Sequence, residues 1–263
     1  MSKKLDSRGT AYSFNKKNNK NVIVFIHGVG LNKEIWEPQV NFFKDYSTLT
    51  YDLLGHGKTN SKKNKLNFEG FSKQLLYLIN ELEIKKIHLI GFSLGALIAR
   101  HFASEHSSRL HSLIILGSIY KRDENQKRVV LNRYSVSKLN RPASKHGALR
   151  RWLSENFIKK NPNIYKKIYR ILQENDHKNF LKSYKIFVNY VDNDAVIKKI
   201  NVNTLVITGQ NDVGSTPEMS KNLSKLIRGS KFIEIKGGKH LCSIECANDV
   251  NIAFKEFINK NNV

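Results

Sequence analysis

The sequence predicts an α/β fold, a mainly parallel sheet covered by helices on both sides, and three observations carry that prediction. Short apolar runs bounded by turn residues alternate with segments of helical period towards both ends of the chain. The run Ile87-His88-Leu89-Ile90 passes through Gly91-Phe92-Ser93-Leu94-Gly95 directly into the helix-prone residues Ala96 to Phe102. Between Gly117 and Asn203 the alternation stops, and a stretch too long for a simple connection takes its place. Alternation of this kind buries a sheet on both faces and leaves function to the carboxyl ends of its strands.

In chain order, the short amino terminus leaves room for one strand (Thr10 to Phe14) or a tight pair ahead of the first strongly apolar run. That run, Val22-Ile23-Val24-Phe25-Ile26, predicts a strand over 22–27, followed by a helix over 34–44 and a strand over 47–52. Phe71, Leu75, Leu78, Ile79 and Leu82 recur at helical spacing, so 68–83 is expected as a helix with one face on the sheet. A strand over 85–91, a helix over 94–106 and a strand over 111–117 complete the first half. After the interruption come a strand over 203–208, a helix over 216–228, a strand over 231–236 and a helix over 246–260. The interrupting segment reads as a helical cap. Its Tyr134, Leu139, Leu149, Trp152, Phe157, Tyr165, Tyr169, Phe180, Tyr184, Phe187 and Tyr190 place apolar mass among many lysines and arginines. The division expected is a core of 1–118 and 203–263 with a cap of 119–202.

Composition narrows the function classes. At 263 residues and 40% hydrophobic content the chain can bury a full core. Met1 to Thr10 holds no apolar stretch that could act as a signal peptide, and no segment approaches the roughly 18 to 20 apolar residues of a membrane span, so a cytoplasmic location is expected. Cys242 and Cys246 read as reduced thiols; His240 with these two lacks a clear fourth ligand for a metal. A formal net charge of +23 would suit a nucleic acid or an anionic surface. The lysines are scattered among many asparagines, however, as biased genome composition would leave them, and no glycine-lysine phosphate loop, zinc-finger spacing or nucleic-acid signature accompanies them. Steering of anionic substrates to a cleft is the better use of that charge.

The chemistry centres on Ser93. A nucleophile on a sharp strand-to-helix turn needs small residues two positions before and after it, here Gly91 and Gly95, because a larger side chain would collide with the neighbouring strand or helix. A serine hydroxyl also needs a base, a group to orient that base, and donors for an oxyanion. His240 follows the strand-like Phe232 to Ile235, and Asp212 follows the run Thr204 to Ile207, so both are expected in loops at strand carboxyl ends. His27-Gly28-Val29-Gly30 closes the Val22 strand, and the oxyanion hole is assigned to the backbone N–H groups of Val29 and Leu94. Asp192 and Asp194 rival Asp212 but lie in the cap-like segment with no strand before them. Asp52, with Gly55-His56-Gly57, reads as a structural turn and His27 as an anchor of the oxyanion loop; His56, His88, His101, His106, His111, His146 and His177 read as core or surface residues.

These segments, in this order and spacing, resemble the α/β-hydrolase superfamily over nearly the whole chain: His27 to Gly30 with Leu31, Asn32 and Trp36; Asp52 to Gly57; Gly91 to Gly95; Gly209 to Asp212 with Pro217; and Gly238 to His240 with Glu245. The order Ser93, Asp212, His240 is that family's order. The chain is most similar to the small carboxylesterases and lactonases, including 3-oxoadipate enol-lactonases and pimeloyl-carrier methyl ester esterases. The resemblance implies a cap inserted after the sixth strand, over Ser93, and hydrolysis of a small-molecule ester, thioester or lactone through an acyl-enzyme with no metal or organic cofactor. Alternatives on the same triad are a carbon-carbon bond hydrolase or a cofactor-free perhydrolase; a receptor-like binding module with vestigial turnover is one of a different class, which a complete triad argues against. A dehalogenase is disfavoured because Ser93 stands where that chemistry uses a carboxylate. Acyl length, alcohol group, carrier and oligomeric state are encoded by no motif.

Overall fold

A computed structural model describes residues 4–17, 21–59 and 66–261. Eight strands, β1 (Lys4–Leu5), β2 (Ala11–Asn15), β3 (Val22–Ile26), β4 (Ser47–Tyr51), β5 (Ile87–Phe92), β6 (Leu110–Leu116), β7 (Thr204–Gly209) and β8 (Lys231–Ile235), form one sheet in the order β1-β2-β4-β3-β5-β6-β7-β8. The amino-terminal segment is thus the tight pair rather than the single strand. Both β1 on β2 and β2 on β4 pair antiparallel, whereas every pairing from β4 to β8 is parallel.

Strand β3 shows why the sequence builds this sheet. All five of its residues are buried, as a parallel strand covered on both faces requires. Val22, Val24 and Ile26 enter one apolar cluster while Ile23 and Phe25 enter the other, the period of two that a strand imposes. Helices α1 (Glu37–Phe42), α2 (Phe68–Glu81) and α3 (Leu94–His106) belong to the first half of the core. The first cluster takes Phe71, Leu75 and Leu78 of α2 with Leu97 and Phe102 of α3. The expected 34–44 helix opens instead with a 3-10 turn over Lys33–Trp36, whose start is capped by the Asn32 side chain.

Between β6 and β7 lie α4 (Glu124–Leu139), α5 (Arg141–Trp152), α6 (Glu155–Lys160), α7 (Pro162–Glu174), α8 (His177–Val188) and α9 (Asp194–Ile197). This is the helical cap after the sixth strand. Asp123, Asn140, Ser154 and Asp176 cap its helix starts, and prolines stand in the first turns of α5 and α7. Leu149, Leu153, Ile168 and Ile171 are buried with the second core cluster, which binds cap to sheet by apolar contact. A buried ion pair adds a joint: Arg100 of α3 meets Asp192 at 2.6 Å and also donates to Ser118 Oγ and the Ile119 carbonyl. The chain closes with α10 (Pro217–Leu226), α11 (Cys242–Glu245) and α12 (Ala247–Asn259). No helix of the described residues is long and apolar enough to cross a membrane.

The strand order reverses around β3, with β4 on one side and β5 on the other. In open α/β sheets the crevice beyond such a reversal is where ligands bind. The carboxyl ends of β3 and β5 bring His27 to Gly30 and Ser93 to that crevice.

Candidate active site

Ser93 sits between β5 and α3 with φ 54° and ψ −114°, a left-handed conformation that a residue with a side chain adopts only under constraint. The constraint is close packing. A Cβ on Gly91 would run into the backbone of Gly95, and one on Gly95 into the carbonyls of Ile26 and His27. The two glycines let α3 start against the end of β3 with Ser93 held at the corner.

His240 lies in the loop after β8, and its Nε2 stands 3.2 Å from Ser93 Oγ. Its Nδ1 stands 2.6 Å from Asp212 Oδ2. A carboxylate only accepts, so the Nδ1 proton points to Asp212 and Nε2 is left as the acceptor facing the serine hydroxyl. Asp212 follows β7, and its other oxygen accepts from the amides of Gly214 and Ser215 at 2.8 and 3.0 Å. The Asp212 side chain is fixed on both oxygens and almost wholly buried. Gly209 completes this arrangement: a side chain there would strike the carbonyls of Gly238 and Lys239, so the glycine lets the two loops touch. The Phe92 ring packs 4.8 Å from the imidazole, centroid to centroid.

Leu94 follows Ser93 in the chain, and Val29 lines the same cavity as Ser93. Leu94 is the first residue of α3, where a helix leaves its leading N–H groups without intrahelical acceptors. Neither the Leu94 nor the Val29 amide donates to a protein acceptor among the described residues. The β3 loop comes so near that a Cβ on Gly28 would stand 3.2 Å from Ser93 Cβ. His27 anchors this loop. Its Nε2 accepts from the Leu53 amide at 3.0 Å, so Nδ1 carries the proton and donates to the Gly28 carbonyl at 2.8 Å. Burial, only partly offset by Asp52, lowers its pKa to about 4, which keeps it neutral. Asp52 accepts from the Lys33 and Lys58 amides and pairs with Lys33 Nζ at 3.2 Å, holding the turn that carries His56.

Asp192 is committed to Arg100 and the Lys121 amide, and Asp194 to Lys121 and Tyr120, so neither rival carboxylate joins His240. The Cys242 thiol is buried, and among the described residues no three His, Cys, Asp or Glu side chains gather to hold a metal ion. Two further groups position these turns: Asn175 escaped the sequence reading, whereas Glu245 entered it only among the residues that carry the resemblance. Asn175, at the end of α7, donates to the Gly30 carbonyl and accepts from the Gly57 amide, bridging the cap to two core turns. Glu245 accepts from the Ser154 and Lys239 amides and, with the Leu241 amide on the Trp152 carbonyl, stitches the His240 loop to the end of α5.

Ser93, Asp212, His240 and Val29 all open on one cavity of about 350 Å³ roofed by the cap. Of the cap aromatics, Trp152, Phe180, Tyr184 and Phe187 face it. Tyr165 and Tyr169 pack instead with His146, Tyr190 packs on Phe68, and Leu139 points to solvent. A hydroxyl beside an imidazole that is held by a carboxylate, opening on a mainly apolar cavity, can add to a carbonyl carbon.

Comparison with known proteins gives the family and the fold. A family model described as the alpha/beta hydrolase fold matches residues 21–246. The chain is similar to an (E)-2-((N-methylformamido)methylene)succinate hydrolase of Acinetobacter baylyi, 25% identical over 97% of this chain and 96% of the relative. It is 33% identical to a pimeloyl-[acyl-carrier protein] methyl ester esterase of Wigglesworthia glossinidia brevipalpis, over 73% of this chain and 74% of that one. Its backbone follows the crystal structure of the enol-lactonase from Burkholderia xenovorans with a TM-score of 0.87, covering 95% of this chain and 97% of the other at 23% identity. By fold, sequence and the arrangement around Ser93, this chain belongs to the α/β-hydrolase family of enzymes.

Proposed function

We propose that the protein hydrolyses a small-molecule carboxylic ester or lactone through an acyl-enzyme on Ser93. The observation that carries this reading is the relay of 3.2 Å from Ser93 Oγ to His240 and 2.6 Å from His240 to Asp212, at the floor of the capped cavity. His240 Nε2 takes the hydroxyl proton as Oγ attacks the carbonyl carbon, and Asp212 holds the tautomer and stabilises the imidazolium. The Val29 and Leu94 amides receive the oxyanion, each worth about 3 to 4 kcal/mol in comparable sites. The tetrahedral intermediate collapses as His240 returns the proton to the leaving oxygen. Water then attacks the acyl-enzyme against the same imidazole, releasing the acid and restoring Ser93. The cap, taken as 119–202, closes the cavity and limits water at the acyl group. A methyl ester esterase and an enol-lactonase among the similar proteins support carbonyl-oxygen bond cleavage.

Replacing Ser93 with Ala is expected to lower kcat/KM on a short p-nitrophenyl ester at least about 10⁴-fold while the fold persists. Full hydrolysis by that variant would overturn the assignment.

A further inference from the structure

The roof of the cavity carries charge that cleavage of a neutral ester leaves unused. Arg122, immediately before α4, Arg133 of α4 and Arg151 of α5 line the cavity that holds Ser93, and none of them pairs with a carboxylate among the described residues. Asp212, the single carboxylate lining this cavity among the described residues, is spent on His240 and two amides. Asp192 is near enough to act on Arg122 through space, but its oxygens are held by Arg100 and the Lys121 amide.

Arg133 lies near enough to act on both of the others. Burial lowers the pKa of Arg122 to about 10 and that of Arg151 in the same direction, and the Arg133 charge pushes both further down. Arg122 is anchored: its Nη1 donates to the Phe187 and Val188 carbonyls, and its plane lies 4.4 Å over the Phe187 ring. Arg133 reaches the loop after Asp212, with Nη1 4.0 Å from where a Cβ on Gly214 would stand. Composition bias does not account for this cluster. The chain has 34 lysines and only 11 arginines, yet of the lysines and arginines lining the cavity all but Lys145 are arginine. Arginine offers a planar fork that binds carboxylate or phosphate oxygens in pairs, which a lysine does not.

Resting on the hydrolase reading above, we propose that the substrate cleaved at Ser93 carries an anionic group, a carboxylate or a phosphate, remote from the scissile carbonyl, and that Arg122, Arg133 and Arg151 hold that group under the cap. Three half-buried cations without a counter-ion repel one another; a bound anion relieves the repulsion and fixes the carbonyl over Ser93.

The test compares three esters of matched length: a methyl ester with an aliphatic end, the monomethyl ester of a dicarboxylic acid, and one ending in a phosphate. The wild type should favour at least one anionic ester over the neutral one by at least about tenfold in kcat/KM, with the advantage shrinking as salt rises. The favoured anionic arm identifies the group. Arg133→Met, Arg151→Met and their double variant should bring the anionic-to-neutral ratio towards one, with Arg151→Lys falling between; each variant's neutral-ester rate is its own control for folding. Equal rates on all three esters in the wild type, or a ratio that the arginine variants leave unmoved, would overturn the proposal. Calorimetric titration of Ser93→Ala with adipate and with inorganic phosphate separates the two readings. Binding that weakens at least tenfold in the arginine variants supports the anion site even if Ser93 proves not to be the nucleophile. An inactive Ser93→Ala that binds neither anion, from a wild type without anionic preference, removes the anion site and leaves the nucleophile standing.

Discussion

The floor and the roof of the cavity are built by opposite means. At the floor, Ser93, Asp212 and His240 sit on short loops at the ends of β5, β7 and β8, and glycines 91, 95 and 209 bring backbone against backbone where any side chain would collide. At the roof, half-buried arginines and aromatics project from helices held to the core by apolar packing, the Arg100–Asp192 pair and the Asn175 bridge. Rigid backbone contact sets a reaction geometry to fractions of an ångström, whereas side chains on an inserted helical layer can be exchanged without disturbing it. From this difference we infer that the chemistry belongs to the floor and the choice of substrate to the roof.

If that contrast holds, changes at the floor act on kcat and changes at the joint act on stability. After Ser93→Ala, the largest effect is expected from Asp212→Asn. The amide presents the wrong partner to His240 Nδ1, and kcat on a simple ester should fall about 10³- to 10⁴-fold with the fold retained, as circular dichroism and steady-state kinetics will show. A drop below tenfold would mean that the carboxylate only shapes its loop.

The joint comes next. Arg100→Met leaves Asp192 buried with the Lys121 amide as its remaining partner, at a cost of about 3 to 5 kcal/mol read from urea unfolding. A loss under 1 kcal/mol would show that apolar contact alone seats the cap.

A smaller and broader effect belongs to the histidines that hold the loop after β3. Burial holds His27 at about 4 and His56 at about 3, so between pH 6.5 and those values the unfolded chain binds protons that the folded one refuses. Stability is therefore full above pH 6.5 and is lost as the pH falls towards 4, by up to a few kcal/mol per group. Thermal unfolding midpoints from pH 7 to 4.5 should decline accordingly, and a flat profile would contradict the buried neutral state of His27.

The same contrast governs what could be read from the sequence. The floor is legible because its requirements are local: a buried strand must end, a glycine must permit contact, and Ser93, Asp212 and His240 each follow an apolar run within a few residues. Strands β3 to β8 and helices α2, α3, α10 and α12 follow from periodicity for the same reason. The split of the 34–44 helix turned on Asn32 capping a 3-10 turn, a hydrogen bond that periodicity does not register. The roof is non-local. Arg122, Arg133 and Arg151 are separated along the chain among many other basic residues, and only the packing of α4 against α5 and α8 gathers them. Asn175 bridges residues 118 and 145 positions away, beyond any spacing rule.

The most direct measurement is covalent labelling of the native protein with a fluorophosphonate, followed by peptide mass spectrometry. An adduct on Ser93, formed in the wild type and lost in His240→Ala, is the result expected of a serine activated by the neighbouring imidazole. Ester hydrolysis by native protein with no adduct on Ser93, or equal labelling in His240→Ala, would contradict it.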